Sequence, residues 1–259
     1  MDIQPDTNLV NSEAVTIVTT DSIKLASYYI TPKNTVVKSV IIIAHGIGNC
    51  KESFIPMATN LSKSGIATLI FDSRAHGKSG GEYCTYGYYE KNDIKRIVDF
   101  IKTKNSNIPI GIFRVSLGGA VAIQALELDT RIQFGIIEST FTDLNQIVFD
   151  YKKALMKGVG IRFMSNYALS RAAKIANFNP SKVKPIQSVM HIEQPIFMAH
   201  GTADERISFN YGEQLFKNLK TKNKIWYPVQ DAGHNNVGAV GGKAYYDAIV
   251  KFILNNSKI

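Results

Sequence analysis

Three residues with the side chains of a nucleophile, an acid and a base lie far apart in the sequence, each within three residues of a glycine. Ser116 lies in Arg-Val-Ser-Leu-Gly-Gly, Asp204 ends His-Gly-Thr-Ala-Asp, and His234 lies in Ala-Gly-His-Asn. A serine hydroxyl becomes a good nucleophile when a histidine removes its proton, and a carboxylate can hold that histidine in the required tautomer. Together these residues could perform acyl transfer through a covalent serine intermediate.

Each of these residues also has a structural interpretation. Ser116 could be an ordinary helix N-cap, and Asp204 could cap the helix that follows it. Glu138, Asp143 and Asp231 are alternative acids. We favour Asp204 because it follows a predicted strand and because the order serine, acid, histidine is the one expected for such a site.

A fourth segment could bind the negative charge that develops during acyl transfer. His45-Gly-Ile-Gly-Asn follows a strongly apolar run, and backbone amides in such a loop can stabilise an oxyanion. The sequence predicts that the amides of Ile47 and Leu117, the residue after the serine, form this oxyanion hole. His45, His76 and His200 each precede a glycine, and we attribute all three to backbone shape.

The elements that must position these residues follow from the apolar patterning. Short runs rich in β-branched residues predict buried strands at 39–44, 66–71, 108–113, 134–137 and 195–199. Segments of helical periodicity lie between most of them, at 54–64, 87–104, 116–128 and 209–219. A hairpin at 14–20 and 23–29 precedes them, and a strand at 224–229 and a helix at 242–254 close the chain. The alternation predicts an α/β fold with a mostly parallel central sheet and helices on both faces, whose ligands bind at the carboxyl ends of the strands.

One residue departs from the expected turn around the serine. A strand–turn–helix nucleophile elbow reads Gly-x-Ser-x-Gly, and Arg114 replaces the first glycine. An arginine should crowd the following helix unless the turn opens or the side chain reaches the surface. Because a displacement of about 1 Å can cost on the order of a hundredfold in rate, the competing hypothesis is a weak or inactive protein that binds a hydrophobic ligand. On the sequence alone, Arg114→Gly is expected to leave activity equal or higher.

The motifs together resemble the alpha/beta-hydrolase superfamily, and most closely its monoacylglycerol lipase and serine aminopeptidase-like branch of serine esterases. The resemblance covers nearly the whole chain and rests on HGIGN at His45, DSRAHGKSGG at Asp72, SLGGA at Ser116, HGTAD at His200 and GHNN at Gly233. It implies an α/β-hydrolase fold, a single domain over residues 1–259, and a small helical cap at 141–191. The Asp72 segment would border the site without doing chemistry. The implied activity is that of a carboxylesterase or lysophospholipase-like serine hydrolase on a small-molecule acyl substrate, with thioester hydrolysis and a serine peptidase as alternatives.

The predicted cap combines apolar and basic residues. Eight lysines and arginines against two aspartates give residues 141–191 a net charge of +6, out of +9 for the chain. This charge suggests anionic substrates or peripheral contact with an anionic membrane surface. The apolar residues could line an acyl pocket or form an ordinary helical packing face: Ile147, Val148, Tyr151, Leu155, Met156, Val159, Ile161, Phe163 and Met164.

Several other classes of function lack their motifs in the sequence. Gly46-x-Gly48 is followed by Lys51 where a dinucleotide fingerprint requires glycine, and Gly77-Lys78-Ser79 lacks the earlier glycine of a P-loop. No metal-binding motif is present, and we expect no cofactor. The basic residues match no nucleic-acid-binding module, so we expect no nucleic-acid partner.

The cysteines and the first residues bear on the cellular compartment. Cys50 and Cys84 are too few for a disulfide framework and are expected to be reduced thiols. The first dozen residues show no basic start followed by an apolar stretch, which favours a cytoplasmic protein. The oligomeric state is left open by the sequence.

Overall fold

The computed structural model describes residue 5, residues 8–156 and residues 161–257 of the chain. Its strands are β1 Val10–Val18, β2 Lys24–Pro32, β3 Ser39–Ala44, β4 Ile66–Phe71, β5 Ile110–Val115, β6 Phe134–Glu138, β7 Ile196–Gly201 and β8 Lys224–Val229. Its α-helices are α1 Ile55–Ser62, α2 Glu90–Lys104, α3 Leu117–Leu128, α4 Leu144–Leu155, α5 Arg162–Ile175, α6 Pro185–Ser188, α7 Phe209–Asn218 and α8 Val237–Asn255. Short 3₁₀ turns are found at Lys51–Phe54 and Pro180–Lys182.

The strands form one sheet in the order β1-β2-β4-β3-β5-β6-β7-β8. The hairpin β1–β2 and the β2–β4 pair are antiparallel, and the remaining neighbours are parallel. Every residue of β3 and β4 is buried, as expected for β-branched strands that are covered by helices on both faces. The predicted fold class, a mostly parallel sheet between helical layers, is therefore confirmed.

Two apolar layers cover the sheet. On one face Ile94 of α2, Val121 of α3 and Leu215 of α7 belong to one buried cluster, and on the other face Ala58 of α1 and Ile249 of α8 belong to a second. A third cluster joins Leu117 at the start of α3 to Leu144 of α4 and Leu169 of α5. Because α4 and α5 lie between β6 and β7 in the chain, this third cluster packs the predicted cap segment onto the carboxyl-end side of the sheet.

The element boundaries differ from the expected ones where a special residue intervenes. Helix α2 begins at Glu90 rather than residue 87, because Gly87 has a φ of 104° and its amide donates to the Glu90 carboxylate. Strand β5 runs to Val115, which pairs with Glu138. Helix α8 begins at Val237 and is interrupted by Gly242, whose φ of 55° lies outside the helical region.

The order of the strands places a crevice above the middle of the sheet. Strand β3 has β4 on one side and β5 on the other, so the loops after β3 and β5 leave in opposite directions. Ligands of parallel sheets bind at such a position, outside the carboxyl ends of the strands. No helix within residues 8–156 and 161–257 is both long enough and apolar enough to cross a bilayer.

Candidate active site

Ser116 occupies a tight turn between β5 and α3. Its φ of 59° and ψ of −126° are unusual for a residue with a side chain, and such strain costs on the order of 1–3 kcal/mol. The Ser116 amide donates to the Glu138 carbonyl of the next strand at 2.9 Å, and the Gly119 amide donates back to the Ser116 carbonyl at 2.9 Å. A Cβ on Gly119 would lie 2.7 Å from the Thr140 Cβ, so a glycine is needed for the helix to approach β6 this closely. These contacts hold the Ser116 hydroxyl above the end of the sheet.

The tertiary structure brings Ser116, His234 and Asp204 into one hydrogen-bonded chain. The His234 Nε2 atom lies 2.8 Å from the Ser116 Oγ atom, and the His234 Nδ1 atom lies 2.8 Å from the Asp204 Oδ2 atom. The residues come from the loops after β5, β7 and β8, and 118 positions separate serine from histidine. With a proton on Nδ1, the imidazole can accept the serine proton at Nε2, which is the geometry that nucleophilic activation requires.

The Asp204 carboxylate is held in place by four donors. Its Oδ1 atom accepts from the amides of Arg206 and Ile207, both at 2.9 Å, while Oδ2 accepts from His234 and lies 3.3 Å from the His200 Nε2 atom. Burial by itself would raise the pKa of Asp204. The hydrogen bonds from His200, His234 and Ile207 outweigh it and hold the pKa well below its usual range. Asp204 therefore stays ionised at neutral pH.

The alternative acids have other partners. Glu138 is buried and accepts a hydrogen bond from the Tyr245 hydroxyl at 2.6 Å, and burial raises its pKa. Asp143 accepts from the Asn145 amide at 2.8 Å at the start of α4. Asp231 accepts from the side chain of its neighbour Gln230 at 3.0 Å. Of these carboxylates and Asp204, only Asp204 is found on the His234 ring.

His45 has a specific role that the sequence reasoning missed. Its Nδ1 atom lies 2.7 Å from the Gly46 carbonyl and its Nε2 atom accepts from the Ser73 amide at 3.1 Å. Burial lowers the pKa of His45 to about 4, with smaller contributions from the nearby positive charges of His76 and Arg114. The ring is therefore neutral and links the loop after β3 to the loop after β4. The position of this histidine directly after a predicted buried strand could have indicated a role for its side chain.

His200 was also attributed to backbone shape, and this was wrong. It is fully buried in β7, and its Nε2 atom lies 2.9 Å from the Ile207 carbonyl as well as 3.3 Å from Asp204. The side chain thus holds the loop that carries the acid. Its distance of four residues from Asp204 could have indicated this contact.

The predicted oxyanion residues lie beside the serine. A Cβ on Gly46 would be 3.4 Å from the Ser116 Cβ, so the loop that carries Ile47 runs directly against the serine. Leu117 is the first residue of α3, where helix amides have no intrahelical partner. Both Ile47 and Leu117 line the same cavity as Ser116. Ile47 and Leu117 therefore stay the predicted oxyanion-hole residues.

The Asp72 segment braces this edge of the sheet from outside the triad. The fully buried Asp72 carboxylate accepts from the Lys51 amide at 2.7 Å, the Lys51 ammonium at 2.8 Å and the Lys78 amide at 2.9 Å. A Cβ on Gly77 would lie 2.3 Å from the Asp72 Cγ, and Gly77 has a φ of 52°. This motif therefore joins the loops after β3 and β4 and leaves Asp72 no free oxygen for substrate.

Arg114 neither opens the elbow nor reaches the surface, contrary to the expectation from the sequence. Its side chain is fully buried and crosses the small Ala44 of β3, so that its guanidinium lies 4.9 Å from the Phe71 ring centre on β4. A Cβ on Gly118 would be 3.0 Å from the Arg114 Cδ, so Gly118 and Ala44 provide the space. Burial lowers the pKa of Arg114 to about 9, opposed by Glu90 and Asp93. Within the described residues, its Nε and Nη2 atoms have no hydrogen-bond partner.

An apolar cavity of about 370 Å³ opens from Ser116 beneath α4 and α5. Of the apolar residues proposed to line it, Ile147, Val148 and Tyr151 do so. The prediction was wrong for Met156, Ile161, Phe163 and Met164, which are 39–78% exposed and do not line the cavity. Val159 and the side chain of Leu155 lie outside the described residues. The cavity is of the size that binds small molecules.

No group of three or more histidine, cysteine, aspartate or glutamate side chains suited to a metal ion occurs in residues 8–156 and 161–257.

Comparison with known proteins identifies the family. The profile described as "Serine aminopeptidase, S33" matches residues 35–188. The uncharacterized protein YqkD of Bacillus subtilis is 27% identical over 240 residues, which cover 90% of this chain and 75% of YqkD. The thiohydrolase aneE of Aspergillus aculeatus is 35% identical over 113 residues, covering 40% of this chain and 36% of aneE.

A similar fold is found among solved structures. The esterase Pf2001 of Pyrococcus furiosus superposes with a TM-score of 0.78 at 24% identity, covering 96% of this chain and 94% of the esterase chain. The family match over residues 35–188 together with this shared fold confirms the resemblance to the alpha/beta-hydrolase superfamily. The chain belongs to the hydrolase family described as serine aminopeptidase, S33.

Proposed function

We propose that the protein is a serine esterase that cleaves carboxylic esters of apolar acyl groups through an acyl-enzyme on Ser116. The observation that carries the proposal is the continuous chain from Asp204 through His234 to Ser116, with the serine at the base of an apolar cavity. A helix N-cap needs neither the histidine nor the cavity, and the Ser116 side chain makes no capping hydrogen bond to α3.

Acylation would begin with transfer of the Ser116 proton to the His234 Nε2 atom as Oγ attacks the ester carbonyl carbon. The carbonyl oxygen becomes an oxyanion, which the amides of Ile47 and Leu117 would bind. Each such donor is worth about 3 kcal/mol in the transition state. His234 then donates its proton to the leaving alkoxide, so that an alcohol departs and the acyl group stays on Ser116.

Deacylation would repeat these steps with water as the nucleophile. His234 accepts a proton from the water that attacks the acyl-enzyme, and returns it to Ser116 when the acid leaves. Asp204 keeps its negative charge throughout, because its amide and imidazole donors lower its pKa. It thereby stabilises the imidazolium that forms in both halves of the reaction.

The lining of the cavity favours an ester over an aminopeptidase substrate. A substrate with a free amino terminus carries a positive charge near the bond that is cleaved, and a site for it would need a carboxylate or several acceptors. The cavity that contains Ser116 has no carboxylate among its described lining residues, and its one charged member is the cation Lys152. An ammonium would be repelled there, while an uncharged acyl chain contacts Leu144, Ile147 and Val148.

Thioesters are a second substrate class for the same site. The acyl cavity and the serine chemistry do not depend on whether oxygen or sulfur leaves, and one relative is named a thiohydrolase. Paired oxygen esters and thioesters of one acyl chain would compare the two. A higher kcat/KM for the thioester would assign that class as the preferred one.

The test is hydrolysis of p-nitrophenyl esters from acetyl to dodecanoyl by wild type, Ser116→Ala and Ser165→Ala. Ser165 is the matched control, because it is a buried serine that lines the same cavity. Ser116→Ala should abolish turnover and labelling by a fluorophosphonate, whereas Ser165→Ala should keep both. In wild type, kcat/KM should rise by up to about fourfold for each added methylene until the cavity is filled.

Two results would contradict the proposal. Faster cleavage of aminoacyl p-nitroanilides than of any ester would favour the peptidase. Absence of both turnover and fluorophosphonate labelling in folded wild-type protein would favour the inactive protein that binds a hydrophobic ligand.

A further inference from the structure

Helix α5 exposes large apolar side chains to solvent, whereas a helix that only covers a core would bury them. Its buried residues are the small or medium-sized Ser165, Leu169 and Ala173. Phe163 and Tyr167, one turn apart, are 78% and 61% exposed. A surface helix normally turns its apolar stripe inward, and a group of exposed large apolar residues indicates an interaction site.

The exposed apolar residues cluster where α4 and α5 meet. We call this surface the cap tip and define it by Met156 at the end of α4 and by Ile161, Phe163, Met164 and Tyr167 at the start of α5. Each is at least 39% exposed. Because α4 and α5 pack against one another as consecutive helices, their adjoining ends lie at the same end of the pair.

The helices around the cap tip are strongly basic. Between Phe149 and Ile175 the described cations are Lys152, Lys153, Arg162, Arg171 and Lys174. The acid of this stretch, Asp150, accepts hydrogen bonds from Gln146 and from Tyr211 of α7. It is thereby engaged with protein donors rather than with the outer cations. Exposed apolar groups thus occur together with five cations and one acid on the helices that carry the cap tip.

The cap tip lies next to the cavity that contains Ser116. Tyr151 and Lys152 of α4 and Ser165 and Ala168 of α5 line that cavity, and the residues of the cap tip lie within about one turn of them on the same helices. Ile47, another lining residue, is 63% exposed, so the cavity wall also reaches solvent at the loop after β3. A surface bound by the cap tip would therefore border the entrance to the cavity.

We propose that the cap tip docks on an anionic lipid surface, with Phe163 and Tyr167 in the interfacial region and the lysines and arginines against the phosphates. Aromatic and apolar side chains combined with Lys and Arg are the composition of interfacial helices. A second copy of the chain fits this surface poorly. A two-fold contact places the same patch against itself, so the cations would face cations.

Binding to vesicles tests the docking without relying on turnover. Flotation with phosphatidylcholine vesicles, with and without phosphatidylglycerol, is measured at low and high salt. Wild type should bind only the vesicles with phosphatidylglycerol and should dissociate at high salt, because the attraction is screened. Since no hydrolysis is followed, loss of binding and loss of esterase activity are separate outcomes.

The basic residues are tested by a charge-matched pair of triple variants. Lys153→Gln, Arg171→Gln and Lys174→Gln together should weaken binding by about 100-fold, at about fivefold for each cation. The control removes three exposed lysines from α7, the turn before β8 and the end of α8: Lys217→Gln, Lys222→Gln and Lys251→Gln. These lie toward the amino ends of the strands, whereas the cap lies at the carboxyl ends, and the control should bind as wild type does.

The apolar residues are tested by a second pair. Phe163→Ser should weaken vesicle binding by about tenfold, because its ring no longer enters the interface. Val36→Ser is the control, since Val36 is 83% exposed in the turn before β3, away from the cap. The proposal is overturned if either control loses as much vesicle binding as its partner variant. It is also overturned if wild type binds neutral vesicles as tightly as anionic ones. A third result would overturn it: wild type does not bind vesicles and instead sediments as a dimer, which Phe163→Ser dissociates.

Discussion

Replacement of Asp204 by asparagine should nearly abolish activity while the fold is kept. In the structure, the Asp204 Oδ1 atom accepts from the amides of Arg206 and Ile207, each at 2.9 Å. An asparagine must leave its oxygen on these amides, because its amino group cannot accept a hydrogen bond. The amino group then points to the His234 Nδ1 atom, which in the wild type lies 2.8 Å from Oδ2.

This arrangement selects the wrong tautomer of His234. The amino group donates to Nδ1, so the imidazole proton moves to Nε2, the atom that lies 2.8 Å from the Ser116 Oγ atom. A protonated Nε2 of a neutral ring cannot accept the serine proton. The same change in triads of other proteins lowers kcat by about 10⁴, or about 5.5 kcal/mol of transition-state stabilisation. We expect a loss of this size for Asp204→Asn, with little change in thermal stability.

The matched control is Glu138→Gln. Glu138 is the buried alternative acid, and a glutamine can still accept the hydrogen bond from Tyr245. We expect Glu138→Gln to keep kcat for p-nitrophenyl butyrate within about tenfold of wild type. The reasoning is refuted if Asp204→Asn retains more than about one hundredth of kcat, or if Glu138→Gln loses as much as Asp204→Asn does.

Three further predictions concern the acid range, the buried arginine and the cavity. The pKa of His45 is lowered to about 4 in the folded protein, so the unfolded chain, with an ordinary pKa of about 6.5, binds its proton first as the pH falls. The free energy of unfolding should therefore fall by about 2 kcal/mol from roughly pH 7 to pH 5. Measured by urea unfolding, this pH dependence should be weaker for His45→Asn than for wild type. The same pH dependence in both proteins would contradict the assignment to His45. Arg114→Met should unfold at the same or a higher temperature because it removes a buried charge with unpaired atoms, whereas Arg114→Gly should lose about 2–5 kcal/mol to the cavity it creates. A lower melting temperature for Arg114→Met than for wild type would show that the guanidinium is needed. Ile147→Trp should fill the acyl cavity and lower kcat/KM for the dodecanoyl ester at least tenfold relative to the acetyl ester. Each methylene excluded from the cavity should cost about fourfold. If the ratio of the two kcat/KM values is the same as in wild type, the acyl chain binds elsewhere.

The bounds of an element were predicted accurately where its own residues show where it begins and ends. Strands β3 and β4 were predicted at their observed bounds, because a strand buried on both faces must be apolar at every position. Boundaries set by one backbone angle were missed. The interruption at Gly242 and the late start of α2 after Gly87 depend on φ values of 55° and 104°, which glycine permits and does not require.

The residue types at the carboxyl ends of the strands were enough to select the candidate triad. Ser116, Asp204 and His234 each follow a strand whose apolar run is visible in the sequence, and in a parallel sheet all such ends lie at one edge. This placement needs only the direction and alternation of the elements. The sequence alone therefore determined the fold class, and it predicted a hydrolase with a candidate triad at one edge of the sheet.

Only the tertiary structure decided between side chains that share the same local pattern. Glu138 ends β6 and Asp204 lies in the loop after β7, and the choice between them depends on loop conformations that bring Asp204 within 2.8 Å of His234. Arg114 is accommodated because Ala44, from the neighbouring strand, and Gly118 are small. Phe163 is exposed because α5 turns its small residues to the core. Each outcome is set by contacts between residues distant in sequence, and such contacts depend on the packing of the whole sheet rather than on any local pattern.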